Sequence, residues 1–482
     1  KRRDIVVDVN RLPKNDPRTF EMLAKGDTLG VFQMASDGMT SYLVKLKPTQ
    51  VDDLNVMVAL YRPGPMDNID EYIARKHGKA QVTYIHPKMK AYLDKTFGVL
   101  VYQDDLLMTA VELAGYSWGE VDRFRKAVGK KIPEEMAKQH VLFVEGCNKH
   151  SGMGKRDAEA LWKLFEPFQG YGFNKAHAAS YGNLSYQTAY MKATYPVDYM
   201  AALLTADSGD VEEVGKIVGE CRRMGIQVLP PDVNESFTDF TVVDDARIRF
   251  GLQSIKNFGE GISNTIIETR TQGGPFTSLS DFLSRVTDRN LNKKSLEALI
   301  QTGGLDNLGE RGALFAHIEL LLSYHKEHAN APKNQNSLFG TEALLTTLKI
   351  PPAPPAPMPQ KLTWEKELLG LYISGHPLDA HKEKLAKQKF DITQAKEKLP
   401  PDTQTVFAGI IDTKQEIITK SGEKMAFLSL ADYGGAIEVV CFPRVLKEYG
   451  MLLNPGACIL VKGRISPRNE EKSFVAEAIK PL

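Results

Sequence analysis

The segment Tyr171-Gly172-Phe173-Asn174-Lys175-Ala176-His177-Ala178-Ala179-Ser180-Tyr181 gathers a cation, an amide, an imidazole and two tyrosines into eleven positions, opening at a glycine turn. At a turn into a helix this cluster suits a phosphate or nucleotide, because helix N-terminal amides and a lysine both stabilise anionic oxygens. Upstream lies the basic run Arg123-Phe124-Arg125-Lys126-Ala127-Val128-Gly129-Lys130-Lys131. From Arg123 to Lys175 there are 11 Lys+Arg against 6 Asp+Glu, a local +5 in a chain whose 61 basic and 60 acidic residues leave +1 overall. Any surface for a polyanion is therefore regional. The competing reading is a solvated helix face with a satisfied histidine.

Metal-assisted phosphoryl chemistry would need carboxylates holding two metal ions about 4 Å apart. The sequence contains no Asp-x-Asp, and the adjacent pairs Asp52-Asp53, Asp104-Asp105 and Asp244-Asp245 read as solvated helix or turn acids. Cys147, Cys221, Cys441 and Cys458 lie at least 17 residues apart, which fits neither a zinc pair nor a disulfide framework. They read as reduced, mostly buried thiols. No apolar run reaches the roughly 18 residues of a membrane span, and no signal peptide follows Lys1, so the expected compartment is the cytoplasm. A first residue of Lys rather than Met suggests a piece of a longer protein.

These residues need several supporting bodies, since 482 residues exceed one ordinary core. Hydrophobic residues at 42% and charged residues at 25% exclude wholesale disorder and collagen-like or coiled-coil classes. Residues 1–229 read as mostly helical, with apolar i, i+3, i+4 spacing in 135–144, 158–165 and 184–195. After Leu229-Pro230-Pro231 comes a strand-like stretch, Asp239 to Phe250, then helices to about 328. Residues 329–404 read as a linker with short helices around 364–372 and 380–389, its Pro351 to Pro359 run favouring extended backbone. Five strands are expected in 405–482, at Thr405–Asp412, Met425–Asp432, Ala436–Phe442, Cys458–Ser466 and Ser473–Ala478. A helix at Arg444–Leu453 between the third and fourth completes an OB-fold pattern.

Five literal strings sharpen the reading: Gly30-Val31-Phe32-Gln33, Ala59-Leu60-Tyr61-Arg62-Pro63-Gly64-Pro65, Arg75-Lys76-His77-Gly78, Arg125 to Lys131 and Gly170 to His177. Their order resembles that in the bacterial C-family replicative DNA polymerases, the alpha subunits of DNA polymerase III, from the fingers domain onward. The resemblance implies a multidomain chain, with mainly α fingers and a tandem helix-hairpin-helix unit followed by an all-β OB-fold. By similarity, Arg125 and Lys126 would neutralise phosphate charge, and Tyr171, Asn174, Lys175 and His177 would position the incoming deoxynucleoside triphosphate. Lys126 stands where the family commonly has Arg, so a bidentate contact is not expected there. Arg62 is read either as a DNA contact or as part of a rigid Pro-rich turn. The family's catalytic aspartates and two Mg²⁺ ions belong to a palm upstream of the fingers, so the expectation is that this chain alone does not polymerise.

Further strings fit the same family. Ile255-Lys256-Asn257-Phe258-Gly259-Glu260-Gly261-Ile262 before a helix offers backbone amides to one phosphate, the helix-hairpin-helix grip. Lys256, Arg270, Lys293 and Lys294 are candidate backbone-contacting cations, and a second copy around 296–309 lacks the Gly-x-Gly form and is expected to be mainly structural. Gln335-Asn336-Ser337-Leu338-Phe339-Gly340 resembles the sliding-clamp-binding peptide of bacterial polymerases, with Gln335 for a polar subsite and Leu338 and Phe339 for an apolar pocket. In the barrel, Lys420, Lys424, Phe427, Phe442, Arg444 and Arg468 are candidate single-strand contacts, the two phenylalanines remaining open between core and stacking platform. Expected partners are primer-template and single-stranded DNA, the clamp and other replisome subunits, with no membrane. The alternative is a standalone clamp-tethered DNA-binding or repair accessory protein.

Overall fold

The computed structural model describes residues 3–130, 133–165, 172–329, 348–386, 388, 390–419, 421–468 and 471–482. The chain forms two compact units, Lys1–Leu203 and Leu204–Leu482. Among the described residues no helix is long and apolar enough to cross a membrane.

In the first unit, helix α1 (Val51–Leu60) is buried from Asp53 to Leu60, the state of a helix enclosed by its neighbours on all sides. Helices α2 (Gln103–Ala114), α3 (Trp118–Lys130), α4 (Pro133–Ser151) and α5 (Lys155–Lys163) contribute to a second core. There Phe124, Phe143, Trp162 and Phe165 meet at centroid separations of 5.1–5.9 Å. Helix α6 (Lys175–Thr194) packs on α1. A Cβ at Gly182 of α6 would lie 2.0 Å from Asn55 Oδ1 and 2.9 Å from the Asn55 amide nitrogen. The two backbones approach this closely only because that position is glycine.

The acid pairs expected as solvated are corrected at two positions. Asp53 and Asp105 are the third residues of α1 and α2, and they are 0% and 2% exposed. Asp53 Oδ2 accepts from the amides of Thr49 (2.8 Å) and Gln50 (3.2 Å), while the Tyr72 hydroxyl donates to Oδ1 and Lys76 forms an ion pair. Asp105 Oδ2 accepts from the amides of Val101 (3.0 Å) and Tyr102 (2.9 Å). Each carboxylate closes a helix entry, where backbone donors lack intrahelical partners. Asp244 stands just before a turn, accepting from the Ala246 amide and pairing with Arg247.

In the second unit a three-stranded sheet has the order β1 (Gln227–Leu229), β3 (Arg247–Arg249), β2 (Thr241–Asp244), with β1 parallel and β2 antiparallel to β3. The sheet thus draws its first strand from before the Pro230-Pro231 pair. Helices α7 (Glu260–Gly273), α8 (Lys293–Gln301), α9 (Arg311–Ala316) and α10 (Met358–Leu369) follow. The Pro/Ala run, expected as a linker, is mostly exposed at 351–357 but anchored near its end: the Ala356 amide donates to Glu310 Oε1 at 3.0 Å, and Gly312 leaves room for the Pro354 carbonyl.

Arg311 ties this body together. Its Nη1 donates to Glu365 Oε1 at 2.7 Å and its Nε and Nη2 to the two oxygens of Asp306 at 2.8 Å each. Both side chains of the Arg311–Glu365 pair are nearly inaccessible, at 3% and 0%. Glu365 Oε2 also accepts from the amides of Ile373 (2.8 Å) and Ser374 (2.9 Å). The charges are buried only because every lone pair and proton has a partner.

The barrel is closed in the order β4 (Gln404–Ile418), β5 (Lys424–Ala431), β6 (Ala436–Cys441), β8 (Glu471–Pro481), β7 (Cys458–Arg468), with α11 (Pro443–Tyr449) between β6 and β7. Strand β4 runs six residues beyond the expected end at Asp412. Residues 413–418 are mostly exposed, so they carry no apolar alternation to announce them.

Replacing Glu365 by Ala removes the buried one of the two carboxylates that Arg311 binds, with an expected loss of ~3–5 kcal/mol. Hydrogen exchange should quicken in residues 293–316 and 358–376 and stay unchanged in residues 3–203. Unchanged exchange around α9 and α10 would show that the pair does not hold this body together.

Candidate nucleic-acid interface

Helix α6 begins at the cluster that the sequence singled out. Asn174 is its N-cap, with Oδ1 accepting from the His177 amide at 3.0 Å. The Lys175 amide donates to Asp104 Oδ2 at 2.8 Å, and the Lys175 ammonium lies 5.5 Å from the Tyr102 ring centroid. The helix-start amides expected to face an anion are thus engaged at residues 175 and 177 by protein oxygens. Asp104 reaches the Lys175 amide because α2 starts beside α6.

Side chains do converge on the exposed face of that helix start. The His177 ring lies 5.2 Å from Phe173 and 4.2 Å from Tyr181, and Tyr181 lies 5.3 Å from Phe32. The Arg62 guanidinium stacks 4.3 Å from the centroid of buried Phe173, and its Nε donates to the Val58 carbonyl at 3.4 Å. Three strings distant in sequence, 30–33, 59–65 and 170–177, therefore meet in one ladder of rings and cations. Phe32, Tyr102, Asp104 and Tyr181 were not singled out as site residues. Phe32 and Tyr181 lay within the quoted strings, whereas nothing in the sequence signalled that Tyr102 and Asp104 would come here.

Arg125 and Lys126 project from α3 as exposed side chains. Both point at one carboxylate: Arg125 Nη2 is 2.8 Å from Asp122 Oδ1 and Lys126 Nζ is 2.6 Å from Asp122 Oδ2. Lys126, then Arg125, hold the Asp122 carboxyl below the usual range. The i, i+3 and i, i+4 spacing carried that signal in the sequence. Tyr171 lies outside the described residues.

In the second unit, Gly259 is the N-cap of α7, where no side chain caps the helix. A Cβ added at Gly259 would meet nothing within 4 Å, and at Gly261 only the Asn290 amide nitrogen at 3.7 Å. These glycines are not required by packing; the left-handed turn residue is Asn257, at φ 70°. The α7 start is accessible to an outside anion. Of the cations expected to reach DNA backbone, Lys256 and Lys294 are exposed, and Lys293 pairs with Glu319 at 2.6 Å. Arg270 is turned inward: its Nη1 donates to the Val233 carbonyl at 2.8 Å, and the guanidinium lies 5.0 Å from the Phe237 centroid.

On the barrel, Ala426, Leu428 and Leu430 alternate inward, leaving Phe427 half-buried on the opposite face. Phe442 is 48% exposed just before α11. The core is filled instead by Phe407 and Phe474, 4.7 Å apart. Arg444 is exposed, and Lys424 lies 3.5 Å from Glu416. Arg468 ends β7 opposite Glu471. Lys420, Gln335, Leu338 and Phe339 lie outside the described residues.

An uncapped helix-hairpin-helix turn and a closed five-stranded OB barrel define a modular nucleic-acid-binding protein. Family models agree: residues 1–151 match the bacterial DNA polymerase III alpha subunit finger domain, 225–314 a helix-hairpin-helix motif, and 405–482 an OB-fold nucleic acid binding domain. The DNA polymerase III subunit alpha of Thermus aquaticus is 41% identical over 98% of this chain and 39% of its own length. Those of Bacillus subtilis and Escherichia coli K12 are 38% and 37% identical, over 98% and 95% of this chain and 42% and 41% of their own lengths. The chain belongs to the DNA polymerase III alpha-subunit family and spans about two-fifths of the length of these relatives.

Burial raises the Asp105 carboxyl to about 6, against the two amides that favour its charge. A raised carboxyl binds its proton more tightly in the folded chain, so its contribution to stability is present at low pH and lost as pH rises through about 6. Asp105→Asn keeps an acceptor and removes the charge. Unfolding of the first unit should therefore become less pH-dependent between pH 4 and 7, by at most ~3 kcal/mol for a two-unit shift; an unaltered pH profile would contradict the assignment.

Proposed function

We propose that this chain is the part of a replicative DNA polymerase that binds incoming nucleotide and primer-template DNA. The observation that carries the reading is the ladder of Phe32, Tyr181, His177, Phe173 and Arg62 at the start of α6, with Lys175 beside it. A row of partly buried rings and cations that reaches the surface at His177 and Lys175 suits a base and its phosphates. Arg125 and Lys126 would exchange Asp122 for triphosphate oxygens, with Asn174 and Tyr171 positioning the nucleotide. The α7 start, with Gly259, Gly261, Lys256 and Lys294, would grip duplex backbone. The barrel's Phe427, Phe442, Arg444, Lys424, Lys420 and Arg468 would contact single-stranded template. Gln335, Leu338 and Phe339 would tether the chain to the sliding clamp, alongside other replisome subunits, in the cytoplasm.

Nucleotidyl transfer in the family uses two Mg²⁺ ions. Among the described residues no group of three or more His, Cys, Asp or Glu is placed to hold a metal ion, and the buried acids Asp53 and Asp105 are engaged in helix caps. The described residues do not fit that centre. Purified chain given primer-template, Mg²⁺ and all four nucleotides should bind but not extend the primer; template-dependent extension would refute this division of labour.

The DNA contact at α7 has its own test. Gly259→Glu fits the fold sterically, since a Cβ there meets nothing, yet places a carboxylate where phosphate would sit. Duplex affinity should fall roughly tenfold or more, as for a lost hydrogen bond to a charged group. Binding to wild type should also weaken steeply with salt, and a flat salt response would count against a phosphate-contacting surface.

A further inference from the structure

A cavity of about 680 Å³ lies within the second unit, away from every cation assigned above to DNA. One wall is the α10 face bearing Met358, Leu362 and Lys366; a second is the following segment with Tyr372 and His376; the third is the barrel at Ile411 and Asp412. This is the size of a small-molecule site, and its walls are largely apolar with a few polar groups.

Those polar groups differ in what they have left to offer. Asp379 accepts from the Tyr433 hydroxyl and the His376 amide, each at 2.7 Å, and pairs with Lys382 at 3.3 Å. Its capacity is engaged. His376 Nδ1 accepts from the Leu378 amide at 3.2 Å. Burial lowers the imidazole pKa against the opposing pull of Asp379, so the ring is neutral at pH 7 and its proton sits on Nε2. Among the described residues nothing accepts a hydrogen bond from that Nε2–H. Asp412 and Lys366 stand 3.6 Å apart, beyond a direct hydrogen bond. The cavity therefore presents the unused His376 Nε2–H and the loosely held Asp412 carboxylate, with His381 and Glu367 also in its lining.

Charge narrows the ligand further. The lining carries Glu367, Asp379 and Asp412 against Lys366, while Lys382 pairs with Asp379 and Arg222 acts on His376 from outside the lining. A net acidic lining repels phosphate. The His376 ring stands edge-on to Tyr372 at 5.7 Å, so the donor sits in an aromatic wall.

We propose that this cavity binds an uncharged, planar heteroaromatic compound of nucleoside size, with a ring acceptor taking the His376 Nε2–H bond and an amino or hydroxyl group donating to Asp412. Such a heterocycle can arrive as a free nucleoside or as an unstacked base of a single strand, and the acidic lining favours the free form.

The test is titration of the intact 482-residue chain with adenosine and guanosine, followed by ligand-detected NMR and calorimetry. At least one nucleoside should bind saturably, and its 5′-monophosphate should bind at least tenfold more weakly. His376→Asn keeps an acceptor for the Leu378 amide but loses the donor, and should weaken binding by roughly tenfold. Leu362→Trp fills the cavity and should abolish binding; duplex affinity and thermal unfolding of both variants are measured to verify that they remain folded. Displacement of the nucleoside by oligothymidylate would support the site and assign it to a strand base. Absence of binding by both nucleosides at millimolar concentration overturns the proposal. So does equal binding of the monophosphate, or binding untouched in both folded variants.

Discussion

Backbone amides at helix starts have no partner within the helix, and this constraint decides where many of the polar side chains lie. Asp53 and Asp105 sit buried because they close α1 and α2. Asn174 closes α6, and Asp104 reaches from α2 to take the Lys175 amide. Asn292 and Glu310 close α8 and α9 in the same way, accepting from the amides of Ser295 and Ala313. At α7 Gly259 supplies no side chain and leaves the helix start uncapped, as Gly154 does at α5.

The same constraint separates structural acids from chemical ones. A carboxylate that accepts two or three amides in a buried turn is poorly placed to hold a metal ion, because its lone pairs are taken and its surroundings are closed. In the first unit Asp122 is an accessible carboxylate that takes two cations at once, holding Arg125 and Lys126 side by side on one turn of α3. Exchange of that carboxylate for a ligand's oxygens would cost little, since exposed ion pairs contribute little to stability.

In the second unit a different device makes one body from distant segments. Arg311 lies on α9 and Glu365 on α10, with residues 330–347 between them in sequence. Their buried pair, the Asp306 fork and the Phe315–Trp364 contact at 5.0 Å join the helix-hairpin-helix region to the segment leading to the barrel. The Pro/Ala run that looks like a spacer is consequently anchored to this body at Ala356. Composition alone could not show this, because extended Pro-rich backbone has the same sequence whether it lies in solvent or against Gly312.

The sequence by itself determined the order of modules, the helical spacing in 135–144 and 158–165, the five barrel strands and the strings that mark the family. These are local properties, carried by period, turn residues and literal spacing. Tertiary structure decided which of those residues meet. Arg62 stacks on Phe173 across more than a hundred residues because Gly182 lets α6 approach α1 closely. It also decided that Arg270 turns inward while Lys256 stays exposed, and that Phe427 and Phe442 stand outside a core filled by Phe407 and Phe474. A side chain's type states what it can do, but only its neighbours in space determine whether a lone pair, a ring face or a charge is left free to do it.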